Sequence, residues 1–585
     1  MSRSSSVMPT TRMLHALAIT GLAAVLLAGC SSTESTGGNH AAGVSSSQPS
    51  SPIHSTEPQS RAGIQNNSAV QPGANPKAAV DEQPSTVFYE IFVRSFYDSD
   101  GDGIGDLQGI TEKLDYLNDG DPGTHEDLGV GGIWLMPVNP SPSYHGYDVT
   151  DYRSINPDYG TLEDMQTLIK EAHKRGIKVI MDLVVNHTSK AHPWFVDSAR
   201  DPGSPYRSWY IWAEDQKRPV SGTSAAGSGS PWHTLRGSHY MGTFWEGMPD
   251  LNFDNPEVRR EMKSIGTYWL EQGVDGFRLD AAKHIYEDLL SDKSTATTAK
   301  NVAWWQEFRT AMNGVNPQAY IVGEVWENSA VSVGAYLDQA FNSGFNFGLA
   351  ETLVHSAQTE KDSGAAFTLE RTYKLYSQIS GGAFTDAIFL TNHDQNRVMS
   401  QLENHPDHAA MAAAMLLTLP GNPFIYYGEE IGLLGVKPDE GIREPMKWTP
   451  DGGDAGQTSW EPGSNNAANP GADVESQQKR RDSLLVRYRE LIQLREEVPA
   501  LRDGDIRDYP SGNGGIMAYE RITAGQQVLV IHNLTGSAQT MQLHSGTGGI
   551  TYAGILRSVG GKAALGSSGL TLPAYTTVIL EYKSE

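Results

Sequence analysis

Four stretches of the chain end an apolar run with Asp, Glu, His or Arg. They are D-L-V-V-N-H at 182–187, G-F-R-L-D-A-A-K-H at 276–284, G-E-V-W at 323–326 and T-N-H-D-Q-N-R at 391–397. The runs that lead into them, at 177–185, 273–279, 320–322 and 387–390, read as buried strands. Arg278 and Asp280 stand two positions apart, so an extended backbone puts both on one face. Charge at the end of an apolar strand is costly to bury. It either makes a structural ion pair or serves chemistry, and four such strand ends favour chemistry.

Strands that each deliver a polar group at the C-terminal end imply a (β/α)8 barrel, whose catalytic face is built in that way. The run V-F-Y-E-I-F-V-R-S-F at 87–96 is rich in aromatic and β-branched residues and is expected as the first barrel strand. G-V-G-G-I-W-L-M-P-V at 129–138 is the second and 177–185 the third. The segment 161–175 is amphipathic and stops at Gly176, as a helix does. The run 387–390 is expected as strand seven and 424–427 as strand eight, with a helix at 483–496. Beyond about residue 501 the pattern turns β-like, with strands at 516–520, 527–534 and 576–582 between Gly/Ser turns. Between 188 and 253 the β/α rhythm breaks into loops that carry Trp194, Trp209, Trp212, Trp232 and Trp245, most of them expected as core.

The chain has 585 residues and a formal charge of -25. That length allows two to four domains. The acidity argues against nucleic acid or an anionic membrane surface as partner. Near the N-terminus Arg3 and Arg12 precede an apolar segment at 14–28. It is too short for a comfortable membrane span and reads as the core of a signal peptide, the alternative being an uncleaved anchor. Cys30 is the only cysteine, so no intramolecular disulfide forms. Residues 31–84 are rich in Ser, Gly, Pro, Gln and Asn and read as a disordered tether.

D-S-D-G-D-G-I-G-D at 98–106 has the spacing of a calcium loop. Asp98, Asp100, Asp102 and Asp106 turn carboxylates inward, Ile104 offers its carbonyl, and Gly103 permits the sharp turn. The twelfth position is Gly109 where an EF-hand has Glu, so this is an EF-like loop on another scaffold. Four clustered carboxylates repel one another without a cation.

In this order, the four stretches resemble the signature regions of the α-amylase family, glycoside hydrolase family 13, from about residue 87 to the C-terminus. The resemblance implies an α/β fold: a (β/α)8 TIM barrel at 85–187 and 254–500, a loop-rich domain B at 188–253 after strand three, and a C-terminal β-sandwich at 501–585. It implies Asp280 as nucleophile, Glu324 as general acid and base, and Asp394 as the group that holds the sugar hydroxyls. Retaining glycoside hydrolysis needs such a carboxylate and carboxylic acid about 5–5.5 Å apart. Arg278 is expected to keep Asp280 ionised, and the apolar neighbours Val325 and Trp326 to raise the pKa of Glu324. Substrate contacts are implied for Tyr147, which resembles the family's sugar-stacking tyrosine, and for His145 and Asp148 near it. They are also implied for His187, Lys283, His284 and His393, and Arg278 belongs to the same set. The calcium is expected to be structural. Asn186 and Asp250 resemble ligands of a second calcium ion.

Finer features divide the family. M-P-D-L-N at 248–252 lies between the versions of oligo-1,6-glucosidases and of neopullulanases, which implies an intermediate branch. Ala281 after the nucleophile favours α-1,4 over α-1,6 bonds, and Lys283 and His284 favour an endo-acting cleft, whereas R-E-P-M-K-W at 443–448 resembles α-glucosidases. The expectation is a monomeric, retaining endo-α-amylase acting on starch and maltooligosaccharides. The alternatives are an exo-acting α-glucosidase or oligo-1,6-glucosidase, a cyclodextrin or pullulan hydrolase, or a non-catalytic calcium-dependent glycan-binding protein. L-A-G-C at 27–30 resembles a bacterial lipobox, which implies lipidation at Cys30 and a membrane-anchored lipoprotein exported to the periplasmic or outer face.

Overall fold

The structure is a computed structural model that describes residues 80, 84–227, 229–286, 295–543, 552–566 and 569–582. The expected signal peptide, Cys30 and almost all of the tether lie outside the described residues.

Among the described residues ten strands occur up to residue 426: β1 Phe88–Ile91, β2 Gly132–Leu135, β3 Lys178–Leu183, β4 Trp232–Leu235, β5 Ser238–Met241, β6 Gly276–Leu279, β7 Tyr320–Gly323, β8 Ser343–Gly344, β9 Ala387–Phe389 and β10 Asn422–Tyr426. Eight of them form one parallel sheet in the order β8-β7-β6-β3-β2-β1-β10-β9. A parallel bridge from Phe345, beside β8, to Ala387 of β9 joins the two edges and closes the barrel. Phe88, Trp134, Ile180, Val322, Phe345, Phe389 and Phe424 form one buried cluster contributed by successive strands, as the packed centre of a barrel requires.

The 161–175 expectation is met by a helix at Leu162–Lys174. Thr161 and Asp164 cap it reciprocally, so two otherwise orphaned N–H groups are satisfied. The expected strand at 87–96 is corrected: β1 stops at Ile91 and Val93–Phe96 is one helical turn. All four residues of that turn are buried, so aromatic content signalled burial there, not extension. The sixth barrel strand, β8, had no sequence signal, because two residues carry no periodicity.

Between β3 and β6 the chain makes an excursion containing a helix at Pro193–Arg200 and the antiparallel β4–β5 hairpin. Trp212 and Trp232 are buried there, Trp194 and Trp209 pack against the main core, and Trp245 is half exposed. The excursion returns to its root where His187 pairs with Asp250.

After the helix Leu484–Glu497 come β11 Asp505–Asp508, β12 Ile516–Ile522, β13 Gln527–Asn533, β14 Gln539–Met541, β15 Tyr552–Val559, β16 Ala564–Gly566, β17 Gly569–Leu572 and β18 Thr577–Tyr582. They form a five-stranded sheet, β11-β12-β13-β18-β15, and a three-stranded sheet, β14-β17-β16. Alternation along β12, β13 and β18 divides their side chains. Ile516, Ala518, Leu529, Ile531, Val578 and Leu580 face Met541, Leu570 and Leu572 of the small sheet. Met517, Tyr519, Val528, Val530 and Ile579 join the main barrel core instead. The larger sheet is thus buried on both faces, which makes a sandwich fixed to the barrel. Arg521 of β12 strengthens the seam by donating to the Thr418 carbonyl at 2.5 Å.

Candidate active site

The C-terminal ends of the barrel strands surround a cleft of about 930 Å3, lined by Tyr147, His187, Asp280, Lys283, His284, Glu324 and Asp394 among others. Three carboxylates from three separate strand ends therefore meet in one space, as the spacing of the motifs predicts.

Parallel pairing of β6 with β3 and β7 sets Arg278 level with Asp182 and Val322. Its side chain is 1% exposed. Nη1 donates to Asp280 Oδ1 at 2.8 Å and to both oxygens of Asp182 at 2.9 and 3.0 Å, while Nη2 donates to Glu324 Oε2 at 2.7 Å. One guanidinium thus holds three carboxyl groups. Arg278 does not single out Asp280, as the sequence led one to expect. Burial raises the Asp280 carboxyl above the ordinary Asp range, and Arg278 opposes that rise without cancelling it. Burial raises Glu324 as well, again against Arg278, with Asp280 and Asp394 adding repulsion. The raised Glu324 suits an acid that must start protonated. Asp182, deepest of the three, is pushed up to about 7 by burial.

Ala281 follows Asp280 in the left-handed region, at φ 49°, a conformation uncommon for residues with a Cβ. This turn aims the Ala281 N–H at Glu324 Oε2, 3.0 Å away. The backbone beside one carboxylate thereby orients the other. Lys283 reaches the same loop, with Nζ 2.8 Å from Glu327 and 3.1 Å from the Trp326 carbonyl.

Asp394 belongs to a second network. Its Oδ1 accepts from Arg443 Nη2 at 3.0 Å, and Oδ2 lies 3.1 Å from His393 Nε2. Burial alone would raise Asp394, but the charges of His393 and Arg443 outweigh it and hold the carboxyl well below the usual range. His393 is fully buried, with Nδ1 2.5 Å from Glu90 Oε1 and Nε2 2.7 Å from the Tyr147 hydroxyl. Both ring nitrogens are engaged inside the protein, so His393 stands behind Tyr147 and Asp394; the expected donation to substrate hydroxyls is not what this geometry offers. Tyr147 joins the two networks, because its hydroxyl also donates to Asp182 at 3.0 Å while its ring stacks on His393.

The other expected contacts divide. His145, His187, Lys283 and His284 line the cleft. Burial drops the His187 imidazole to about 4, so it is neutral at pH 7, with Nε2 3.2 Å from the Tyr147 carbonyl and Nδ1 3.4 Å from the Asn186 side-chain nitrogen. Asp148 is corrected: it is 3% exposed and lies behind the cleft lining, beside His145 and His187, where it accepts from the hydroxyls of Ser141 and Ser143. Its role there is to shape the turn that presents Tyr147. Glu90, Asp182 and Arg443 are site residues to which the sequence assigned no part. Their polarity inside apolar runs, and Arg443 in an otherwise unexplained R-E-P-M-K-W motif, was the available signal.

In the loop at 98–106, ligand oxygens of Asp98, Asp100 and Asp106 lie within 4.8 Å of one another. Gly101 and Gly103 have φ of 87° and 93°, and a Cβ on Gly103 would meet Ser459 Oγ at 2.6 Å. Three converging carboxylates on a turn that demands glycine fit a hard divalent cation such as calcium. Asp102 is not in that trio; its Oδ1 accepts the Ile104 N–H at 2.7 Å, as the trio accept other N–H groups of the loop. Among the described residues no other group of three or more His, Cys, Asp or Glu converges in this way. Asn186 and Asp250 lie together, 3.4 Å apart, and Asp250 also accepts the Thr243 N–H at 3.1 Å, which ties the root of the excursion.

Carboxylates gathered at the C-terminal rim of a closed parallel barrel make an enzyme site of the kind that barrel glycoside hydrolases use. Comparison with known proteins gives the family. A model of the alpha-amylase catalytic domain matches residues 90–504, and one of the alpha-amylase SusG C-terminal domain matches 516–579. The chain belongs to the alpha-amylase family. It is 44% identical over 461 residues to Alpha-amylase 3 of Dictyoglomus thermophilum, covering 79% of this chain and 87% of that one. It is 32% identical over 525 residues to an oligo-1,6-glucosidase of Parageobacillus thermoglucosidasius, covering 78% and 91%. The crystal structure of an alpha-amylase from H. orenii superposes with a TM-score of 0.79 at 47% identity, covering 86% of this chain and all of that one.

Proposed function

We propose that this enzyme hydrolyses internal α-1,4-glucosidic bonds of starch and maltooligosaccharides with retention of configuration. The observation that carries the reading is the convergence of Asp280, Glu324 and Asp394 on one open cleft, the first two gripped by the same guanidinium.

In this reading the glycosidic oxygen takes a proton from Glu324 as Asp280 Oδ attacks the anomeric carbon. The C–O bond to the leaving sugar breaks and a glycosyl ester of Asp280 forms. Water, deprotonated by Glu324, then attacks the same carbon and releases Asp280. Burial raises both carboxyls above their ordinary range, which supports a proton already held by Glu324 when Asp280 attacks, with Arg278 opposing the rise at both. Asp394, held anionic by His393 and Arg443, accepts hydrogen bonds from sugar hydroxyls. Asp98, Asp100 and Asp106, with the Ile104 carbonyl, would hold calcium as a structural ion that pins the loop after β1. The L-A-G-C sequence supports export and lipidation at Cys30, tested by labelling with radioactive palmitate in wild type and Cys30→Ser.

A product time course on soluble starch, pullulan and isomaltose tests the specificity. Mixed oligosaccharides at the earliest points support endo action on α-1,4 bonds. Glucose alone from the first point, or cleavage of isomaltose, replaces it with the glucosidase reading that the oligo-1,6-glucosidase relative represents.

A further inference from the structure

We propose that Glu90, on the first barrel strand, is a positioning residue that keeps the His393 ring doubly protonated, and that this imidazolium holds Asp394 as a carboxylate in the cleft. The inference rests on the reading of Asp394 as the group that binds the sugar.

The number of protons on the ring follows from its neighbours. A neutral imidazole carries one N–H. His393 presents Nδ1 to Glu90 Oε1 at 2.5 Å and Nε2 to Asp394 Oδ2 at 3.1 Å. A neutral ring would set a lone pair against one of these carboxylates at hydrogen-bond distance. With both carboxyls ionised the cation suits both contacts, and Tyr147, donating its own proton to Asp182, shares the single Nε2–H with Asp394. Solvent is kept from both partners, since His393 is 0% and Glu90 1% exposed.

The surroundings come from every neighbouring strand. Glu90 is on β1, with Tyr426 of β10 beside it; Trp134 of β2 meets the His393 ring edge-on at 5.6 Å, and Tyr147 follows β2. Asp182 of β3 and Asp280 after β6 add negative charge, and Arg278 of β6 balances them. Arg443, beyond β10, donates its Nε to the His393 carbonyl at 3.0 Å and its Nη2 to Asp394. Burial lowers the imidazole, but Asp394 and Glu90 together overcome it and raise it to about 9. Glu90 is the partner of His393 that never meets substrate. It therefore sets the charge of the site from behind.

Glu90→Gln keeps the shape and an acceptor oxygen but removes the charge. In histidine-labelled enzyme, with the resonance assigned by its loss in His393→Gln, the His393 titration should fall by about one pH unit or more in Glu90→Gln. The ratio of variant to wild-type KM on maltooligosaccharides should then climb with pH between 5 and 9, because Asp394 faces a lone pair once the ring is neutral. A KM ratio that stays flat with pH, or an unmoved titration, overturns the proposal and leaves Glu90 a packing group. A wild-type His393 that is neutral at pH 7 overturns it even if the variant does not fold. If Asp394→Asn binds and turns over substrate like wild type, the reading of the site fails first; a dead Asp394→Asn with a pH-flat Glu90→Gln sinks only the role of Glu90.

Discussion

Asp280 and Glu324, contributed by consecutive barrel strands, lean on the two terminal nitrogens of the same guanidinium at 2.8 and 2.7 Å. Arg278 can therefore stabilise whichever of the two carboxylates carries the charge, while the additional Ala281 N–H orients Glu324.

Asp280→Asn removes the attacking oxygen and Glu324→Gln the transferable proton. Each is expected to cut turnover of starch by at least about 10^2–10^4-fold, the usual worth of a positioned acid or base, while the fold persists. Initial rates alongside thermal unfolding check this. Near-normal turnover in a folded variant of either kind sinks the assignment.

Arg443→Lys keeps a charge but cannot span Asp394 and the His393 carbonyl together as the planar fork does. KM for maltooligosaccharides should rise more than kcat falls. Arg443→Ala should in addition lose roughly 3–5 kcal/mol of stability, because a carboxylate and a carbonyl are left without their buried partner. Equal stability of Arg443→Ala and wild type would rule out that bridging role.

Calcium should raise the melting temperature and a chelator should lower it. An ion at about 100 times its Kd contributes roughly 2.7 kcal/mol to a fold that alone binds it. Asp98→Asn should abolish the response. Gly103→Ala should destabilise even with calcium present, since the added Cβ both strains the left-handed backbone and strikes Ser459. Differential scanning calorimetry of the three proteins with calcium or chelator reads both effects, and a wild type indifferent to chelator excludes the site.

The pH dependence of stability has a definite sign. His393, raised to about 9, favours the folded state fully below the unfolded value near 6.5, and that contribution is lost as pH rises through 9. Its size is on the order of 3 kcal/mol. Asp182, raised to about 7, works in the same direction but is spent by neutral pH. Glu429, pushed up to about 8, and Arg521, lowered to about 9, titrate in the same range, so denaturant unfolding between pH 7.5 and 10 is compared for wild type and His393→Gln; a stability difference that stays constant with pH argues against an imidazolium.

Asp280, Glu324 and Asp394 could be found from the sequence because each follows a short apolar run and the four stretches together resemble the signature regions of the alpha-amylase family. Glu90 could not be assigned, since its partner lies 303 positions away and it sits in an aromatic stretch that reads as plain core. Asp148 misled for the opposite reason: proximity to Tyr147 in sequence placed it at the cleft, while two nearby serines hold it behind the lining. Two-residue β8 was silent. Local pattern gave the strand ends, and long-range contact decided which side chains reach the cleft.

Closure of the barrel has a consequence for how the chain reaches this state. The first strand pairs with the last, Phe88 with Phe424, and Thr86 donates to an Asn422 side chain 336 positions on. A growing or translocating polypeptide must carry β1 with one edge unpaired until the final strand arrives. Such non-local pairing slows folding and leaves the early intermediate open to association with its own kind. Yield on refolding should therefore fall steeply with protein concentration, and truncation before β10 should give aggregates, not a smaller active enzyme.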